Sequence, residues 1–346
     1  MNAILASRPG TPWEVSQLRI PRYLPALVGM VALLAGCGSL PPASPVSPPS
    51  SYHLPSGPID LTRTTNFQMS HAMGDLVATE CSYLGTPLKC QEVYLEAVDQ
   101  ARAQEGLGAL PIPPGFFAMP QAEQFYVILN LERVTRGLTP IVKVIAAPSQ
   151  TATAAAAAGV DPMPPLNFIT AFQGSIEAES SSAIMADLGL MYDDGYGNTG
   201  SNFGGMNVDC VTATSAGCWG HRSVMLMEDP HQLWAGIGYA STTAVGTDYT
   251  GLYLDPTLLG QPITAPLAQY LCSTITPYPY YPLYQQLHQA GCQMEANPPS
   301  TPLPISPAQA ATLMTWQTLG SDRAKVCDHA SCVTWSLTPP QPPHVK

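Results

Sequence analysis

The chain has 346 residues and a formal net charge of −11, with 24 acidic residues against 13 basic ones. Its hydrophobic content of 45% is that of a globular protein, long enough for one large domain or two modest ones. So few basic residues leave no positive surface to follow a phosphate backbone, which argues against nucleic acid as a partner.

Residues 1–36 have the pattern of an export signal. A basic flank precedes an apolar run, residues 24–35, which is too short to span a bilayer as a mature helix. The run ends at Cys37 in a Leu-Ala-Gly-Cys tetrapeptide that resembles the bacterial lipobox, in which the cysteine is lipidated and becomes the new N-terminus. Residues 37–60 are rich in proline and serine and are expected to form an extended tether. An ordinary secretory signal with a chance cysteine is the alternative.

Eight cysteines follow Cys37 and fall into four couples that are close in sequence. An even number of cysteines in an exported chain indicates disulfides. Zinc is the alternative, but the sequence has no CxxC and the spacings are irregular, so disulfides are favoured. Nearest-neighbour pairing is one of many connectivities open to eight cysteines, and it is our hypothesis. It gives the pairs Cys81–Cys90, Cys210–Cys218, Cys272–Cys292 and Cys327–Cys332.

The first predicted elements after the tether are helices. Apolar residues recur at helical spacing in residues 91–106 and again in residues 121–136. The second of these helices is apolar on two sides, so we expect it to be mostly buried. Gly137 is expected to end it in the C′ position. The alanine-rich residues 151–158 and residues 183–191 are two further predicted helices.

Strand periodicity appears in residues 232–240, where glycines fall on one face and indicate that another element packs closely there. Residues 249–254 follow a turn and are the predicted hairpin partner. Helices followed by a hairpin predict an α+β fold rather than a parallel βαβ sheet. Residues 262–346 are rich in proline and are predicted to form a disulfide-stapled extension with one helix, for which Ser306 is the N-cap.

Three segments, in this order, resemble the CAP superfamily of cysteine-rich secretory, antigen 5 and pathogenesis-related proteins, also called SCP domains. LNLERVTRGLTPI at residues 129–141 resembles the opening helix of that family. CWGHRSVML at residues 218–226 resembles its Gly-His-Arg helix start, and WAGIGYAS at residues 234–241 resembles its glycine-rich strand. The motif residues carried over in this way are Asn130, Arg133, Gly137, Trp219, Gly220 and Arg222.

The resemblance implies an α-β-α sandwich over residues 61–261, with a helical lead-in, of the secreted bacterial branch of the family. It also implies a cleft with two histidines and two acidic residues, which in some members binds a divalent metal. His221 stands at the second histidine, whereas residues 146–162 contain no first histidine. We therefore expect no cofactor beyond weak binding of a divalent metal, because stable zinc sites use three or four ligands. The other cleft candidates are Asp193, Asp194 and Glu177.

Ordinary structural explanations compete with each candidate. Either the imidazole of His221 or the guanidinium of Arg222 can be tied to a nearby aspartate, Asp193, Asp194 or Asp209, to fix a loop. Adjacent aspartates followed by glycine are also typical of a turn. Trp219 is expected to anchor the core over the disulfide of Cys210 and Cys218.

The polar residues of the opening helix are expected to be partly exposed. Glu132 and Arg136 then form a solvated i,i+4 pair. The four residues concerned are Asn130, Glu132, Arg133 and Arg136.

These patterns favour an exported, lipid-anchored binding protein of the bacterial envelope over an enzyme. The sequence lacks the G-x-S-x-G, H-E-x-x-H, P-loop and G-x-G-x-x-G motifs of common hydrolase and nucleotide-binding classes. By resemblance, some CAP proteins bind sterols or fatty acids, so a lipid or another envelope component is the expected ligand. Two alternatives are a hydrolase that uses His221 with Asp194 or Glu177, and a protein-interaction module that uses residues 262–346.

Overall fold

The computed structural model describes residues 61–63, 65–81, 88–197, 207, 209–215, 217–228, 231–242, 246–273, 282–297, 299 and 301–338. The predicted export signal, Cys37 and the tether lie outside the described residues. Within the part of the chain that the structure describes, no helix has the length and apolar character needed to cross a membrane.

Helices and strands alternate in a mixed α and β architecture, as the α+β prediction requires. The helices are α1 (His71–Glu80), α2 (Leu88–Gln104), α3 (Gln121–Val134), α4 (Ala146–Ala158), α5 (Ala183–Tyr192), α6 (Gly220–Met225), α7 (Ala265–Ser273) and α8 (Pro282–Ala296). The strands are β1 (Ile141–Ile145), β2 (Phe172–Glu179), β3 (Leu233–Thr242), β4 (Gly246–Leu254), β5 (Thr312–Leu319), β6 (Arg323–Cys327) and β7 (Cys332–Ser336).

All seven strands belong to one sheet in the order β2-β4-β3-β1-β5-β6-β7. Neighbouring strands are antiparallel, with the exception of β1 and β3. This parallel pair differs from the expectation of a fold without a βαβ unit. The two strands are joined by a long crossover that begins with α4, directly after β1, and continues through β2, α5 and α6, and α4 packs on β3.

The glycines of β3 mark the place where α4 approaches the sheet, as their alternation predicts. A Cβ atom on Gly236 would lie 2.5 Å from the backbone of Pro148, and one on Gly238 would lie 2.3 Å from the backbone of Ala152. The opposite face of β3 carries Ala235 and Ile237 into the main core with α3 and α5. The sheet therefore has helices on both faces.

Residues 312–336, within the predicted C-terminal extension, form three strands of the same sheet. Strand β5 pairs with β1, where Val144 lies opposite Met314. The helix predicted after Ser306 is wrong, because residues 307–310 form only a turn. Ser306 accepts a hydrogen bond from the Gln309 amide at 3.3 Å, but the chain must extend at once to pair with β1.

All four predicted disulfides are present: Cys81–Cys90, Cys210–Cys218, Cys272–Cys292 and Cys327–Cys332. Each of them joins cysteines that are near neighbours in the sequence, so the nearest-neighbour hypothesis is confirmed. Several disulfides in one chain are typical of proteins that fold outside the reducing cytoplasm.

The polar residues of α3 are buried, so the expectation that they are partly exposed is wrong. Asn130 accepts a hydrogen bond from the Ile141 amide at 2.7 Å and donates one to the Ile141 carbonyl at 3.1 Å. Arg133 donates to the carbonyls of Met225 and Met227 at 2.7 and 3.1 Å. Asn130 therefore fixes the start of β1, and Arg133 holds the end of α6 against α3.

Glu132 is fully buried and forms ion pairs with two arginines rather than the solvated pair that was expected. Arg102 on α2 approaches it at 2.6 Å, and Arg136 contacts the same carboxylate oxygen. The Tyr192 hydroxyl donates to its other oxygen at 2.9 Å. Burial raises the pKa of the Glu132 carboxyl, but the charges of Arg102 and Arg136 outweigh burial and lower it overall.

The pairing extends through Glu105, at the C-terminal end of α2. Its carboxylate contacts Arg136 at 2.7 Å, Arg63 at 2.7 Å and Arg222 at 3.1 Å. Three of the guanidinium groups also lie over the ring of Tyr192 at centroid distances of 5.4 to 6.0 Å. We call this set the arginine network: Arg63, Arg102, Glu105, Glu132, Arg136, Tyr192 and Arg222.

Replacing Glu132 with Gln should lower the free energy of unfolding at pH 7 by about 3–5 kcal/mol, because it leaves Arg102 charged and buried without its carboxylate. Urea unfolding measures this loss. The matched control is Glu96→Gln on the exposed face of α2, where we expect a change within about 0.5 kcal/mol. The loss should shrink as the pH falls through the acid range, since the pKa of Glu132 is depressed in the folded state.

Asp187→Asn should stabilise the protein at pH 8 and have little effect at pH 4. Asp187 is fully buried on α5, where burial and the charge of Glu132 raise its pKa well above the ordinary value, so it must stay protonated in the fold. The free energy needed to keep Asp187 protonated grows with pH above the ordinary aspartate pKa, by at most about 1.4 kcal/mol per pH unit. Urea unfolding of the wild type and of Asp187→Asn between pH 4 and pH 8 tests this prediction. A difference in unfolding free energy that does not change with pH would contradict it.

Candidate functional site

Helix α6 begins at Gly220 and presents His221 and Arg222 in opposite directions. Arg222 is 1% exposed and points into the arginine network, where it also donates to the carbonyls of Leu61 at 3.1 Å and Met191 at 2.7 Å. His221 is partly exposed and points away from that network, to Asp194. Of the two side chains considered for a tie to an aspartate, the structure thus selects the imidazole of His221, whereas Arg222 pairs with Glu105.

Asp194 binds the start of α6 with both carboxylate oxygens. Its Oδ1 lies 2.7 Å from His221 Nδ1, and its Oδ2 accepts hydrogen bonds from the amides of His221 at 2.9 Å and Arg222 at 3.3 Å. Asn207 donates a further bond to Oδ1 at 2.7 Å. Of the three aspartates considered for this role, the structure thus selects Asp194, which fixes the orientation of the imidazole.

The turn that carries Asp194 is built around Trp219. This residue has a φ of +61°, and its amide donates to the Asp194 carbonyl at 3.0 Å. A Cβ atom on Gly195 would lie 2.4 Å from the indole, so the ring needs glycine there. Trp219 is only partly buried and covers this turn, which corrects its predicted role as a core anchor over the disulfide of residues 210 and 218.

Asp193 takes no part in the contact of Asp194 with His221. It follows α5 as the C-cap residue, is 4% exposed, and its amide donates to the Gly189 carbonyl at 3.2 Å. Burial and the neighbouring charge of Asp194 raise the pKa of Asp193 to about 7, although Arg63 opposes the rise. Asp193 thus belongs to the interior beside the arginine network.

Two further carboxyl groups act electrostatically on His221, and they belong to a larger group of acidic residues. Glu177 lies opposite Thr250 in the β2–β4 pairing, and Glu179 lies opposite Asp248, so these acidic side chains share one face of the sheet. Asp161 follows α4, and its charge acts on His221 together with that of Glu177. We call the four residues Asp161, Glu177, Glu179 and Asp248 the acid cluster.

The interior of the acid cluster holds a proton at neutral pH. Asp248 is fully buried, and burial together with the charge of Glu177 raises its pKa to about 9. The carboxyl of Asp248 is in hydrogen-bond contact with that of Glu177, and two carboxyls can share such a bond only when one of them is protonated. Burial also raises the pKa of Glu177 and of Asp161, and His221 limits both rises.

His221 is a cation at neutral pH. Burial opposes its charge, but the hydrogen bond and charge of Asp194, assisted by Asp161 and Glu177, raise the pKa of the imidazole to about 9. Burial raises the pKa of Asp194 as well, and the hydrogen bonds from His221 limit that rise. An imidazolium donates hydrogen bonds and attracts negative charge, but it cannot accept a proton, so His221 is unsuited to be a general base at pH 7.

The structure relates three of the candidate residues to one another: His221 contacts Asp194 directly and interacts electrostatically with Glu177. Asp193 takes no part in these contacts. Asp161 and Asp248 were not among the candidates. The hairpin register was the signal for Asp248, because it places this residue opposite Glu179 on the face that also carries Glu177.

Metal binding was the other chemistry implied by the family resemblance. Within the described residues, no group of three or more His, Cys, Asp or Glu side chains is arranged to hold a metal ion. Comparisons with protein-family models, with curated proteins and with solved structures found no match to this chain.

Asp194→Asn should lower the titration midpoint of His221 from about 9 toward the ordinary histidine value of about 6.5, because it removes the charge that stabilises the imidazolium. Imidazole proton resonances followed by NMR against pH give this midpoint. The raised pKa also means that the pair stabilises the fold below about pH 6.5 and loses that contribution as the pH rises through about 9. A wild-type midpoint near 6.5 would show that the contact with Asp194 is not formed in solution.

Proposed function

We propose that this protein is an exported, lipid-anchored member of the CAP superfamily that binds a lipid or another component of the bacterial envelope without catalysing a reaction. The anchor is the lipidated Cys37, and residues 37–60 are the tether. Helices on both faces of the sheet are compatible with a CAP-type sandwich, and the motif residues Asn130, Arg133 and Arg222 have the buried structural roles that a family motif needs.

The state of His221 is the observation that supports binding over catalysis. Its Nδ1 is committed to Asp194 at 2.7 Å, and the pair holds the ring as a cation. A hydrolase with this histidine as its base needs the neutral ring, which at pH 7 and a pKa of about 9 is about 1% of the molecules. A cation of fixed orientation beside protonated and ionised carboxyls is instead suited to orient a polar ligand group by hydrogen bonds.

Protein interaction through residues 262–346 is a weaker alternative in view of the fold. Strand β5 is paired with β1 in the middle of the sheet, so removing this region would expose the edge of β1 and disrupt the core. The surface that this region offers must be tested by point substitutions rather than by deletion.

Native mass spectrometry of the mature protein, incubated with an envelope lipid extract, tests the binding proposal. We expect a retained adduct in the wild type and a loss of at least about tenfold in occupancy for His221→Gln, which removes the charge and its hydrogen bonds. His231→Gln is the matched control, since this histidine lies at a distant aspartate, Asp255, at 3.4 Å and is half exposed.

Two outcomes would overturn the proposal. Equal occupancy in the wild type and in His221→Gln would show that this site is not part of the binding surface. Turnover of an envelope substrate that is lost in His221→Gln and that rises with pH through about 9 would instead assign the histidine to catalysis, because only the neutral ring acts as a base.

A further inference from the structure

The disulfide between Cys272 and Cys292 has an imidazole beside it. It joins α7 to α8, and His288 lies one turn before Cys292 on α8, on the same face of the helix. The distance from His288 Nε2 to the sulfur of Cys292 is 3.9 Å. The other ring nitrogen, Nδ1, is buried without a hydrogen-bond partner, so no contact fixes the tautomer and either nitrogen can carry the proton.

Both cysteines of this bridge are half-buried, so a small thiol has a route to the sulfur atoms. Cys90 and Cys210, in two of the other bridges, are only 2% and 7% exposed, whereas Cys332 in the remaining bridge is exposed, so the imidazole and not access alone distinguishes the 272–292 bridge. Reactivity of a disulfide requires access as well as a good leaving thiolate. The bridge of residues 272 and 292 combines access with a group that can stabilise the leaving thiolate.

Helices α7 and α8 pack against each other by contacts that do not involve the bridge. A Cβ atom on Gly291 would lie 2.5 Å from the Leu271 Cβ, so the two backbones approach closely at that point. Ala268, Leu271 and Leu287 are buried in a separate apolar cluster beneath the two helices. Opening the disulfide therefore leaves the helix pair in place, and the reaction can be reversible.

We propose that the Cys272–Cys292 bridge is a thiol–disulfide exchange site for a small dithiol. The thiolate of the dithiol attacks the sulfur of Cys272 and forms a mixed disulfide, while the bond to Cys292 breaks and the electron pair leaves on its sulfur. His288 gives its proton to that thiolate. The second thiol of the reagent then displaces Cys272, so the protein disulfide is reduced by two electrons and the dithiol is oxidised to its cyclic disulfide.

The site is linked to the acid cluster through α8. Tyr284, one turn before His288, donates its hydroxyl hydrogen to the backbone carbonyl of Asp161 at 2.8 Å. The exchange chemistry itself does not depend on the ligand proposed for that site.

Limited reduction of the folded protein with dithiothreitol, followed by alkylation and peptide mass spectrometry, gives a separate rate for each of the four disulfides. We expect the bridge of Cys272 and Cys292 to be reduced at least about tenfold faster at pH 7 than the bridges of Cys90 and Cys210, which are less accessible. His288→Gln should slow this bridge by about tenfold and leave the other rates unchanged. His329→Gln, in the loop between Cys327 and Cys332, is the matched histidine control and should not alter the rate of the 272–292 bridge.

The other bridges separate an effect of His288 on its own disulfide from a general change in packing. An unchanged rate of the 272–292 bridge in His288→Gln, or a wild-type rate no faster than those of the bridges of Cys90 and Cys210, would overturn the proposal. Faster reduction of all four bridges in His288→Gln would indicate that this variant is unfolded. The same test would then be made with His288→Asn.

Discussion

The buried arginine network is the constraint on which the rest of the structure depends. Its members come from α2, α3, α5, α6 and the segment before α1, and each charge is satisfied by a group on another element. Taking so many charges out of water is costly, so the network stabilises the fold only when it is complete and its geometry is fixed.

The most direct effect of the arginine network on the site is on α6. Because Arg222 is drawn inward to Glu105, the preceding residue, His221, has to face outward, and the backbone amides of both residues are then presented to Asp194.

The sequence predicted local features well because their signals are local. Apolar periodicity located α3 and α5, alternating glycines in β3 marked the approach of α4, and cysteines near in sequence paired with each other. The burial of Glu132 and Arg136 could not be read in this way. Their spacing is that of a solvated helical pair, and only the arrival of Arg102 from α2 makes it an interior one.

Long-range pairing accounts for the other errors. Strand β5 finds its partner in β1, which is remote in the sequence, so a proline-rich region with few local signals gave no hint that it completes a sheet. The candidate site shows the same division. His221 and Asp194 were predicted from a motif and its neighbouring turn. Asp248 joins the site because of the register of β2 and β4, and Asp161 joins it because α4 packs on the sheet.

The two clusters on either side of α6 together limit what the site can bind. Four of the 13 basic side chains are used in the arginine network, so the chain retains little positive charge to place elsewhere. Near His221 one cation therefore stands against the carboxyls of Asp194, Asp161 and Glu177. Under the proposed binding function, a ligand with a carboxylate or phosphate group would be repelled by the ionised ones among them. A neutral ligand with a hydroxyl or carbonyl group can accept from His221 without that cost, so the charge distribution is better suited to a neutral ligand than to an ionised one.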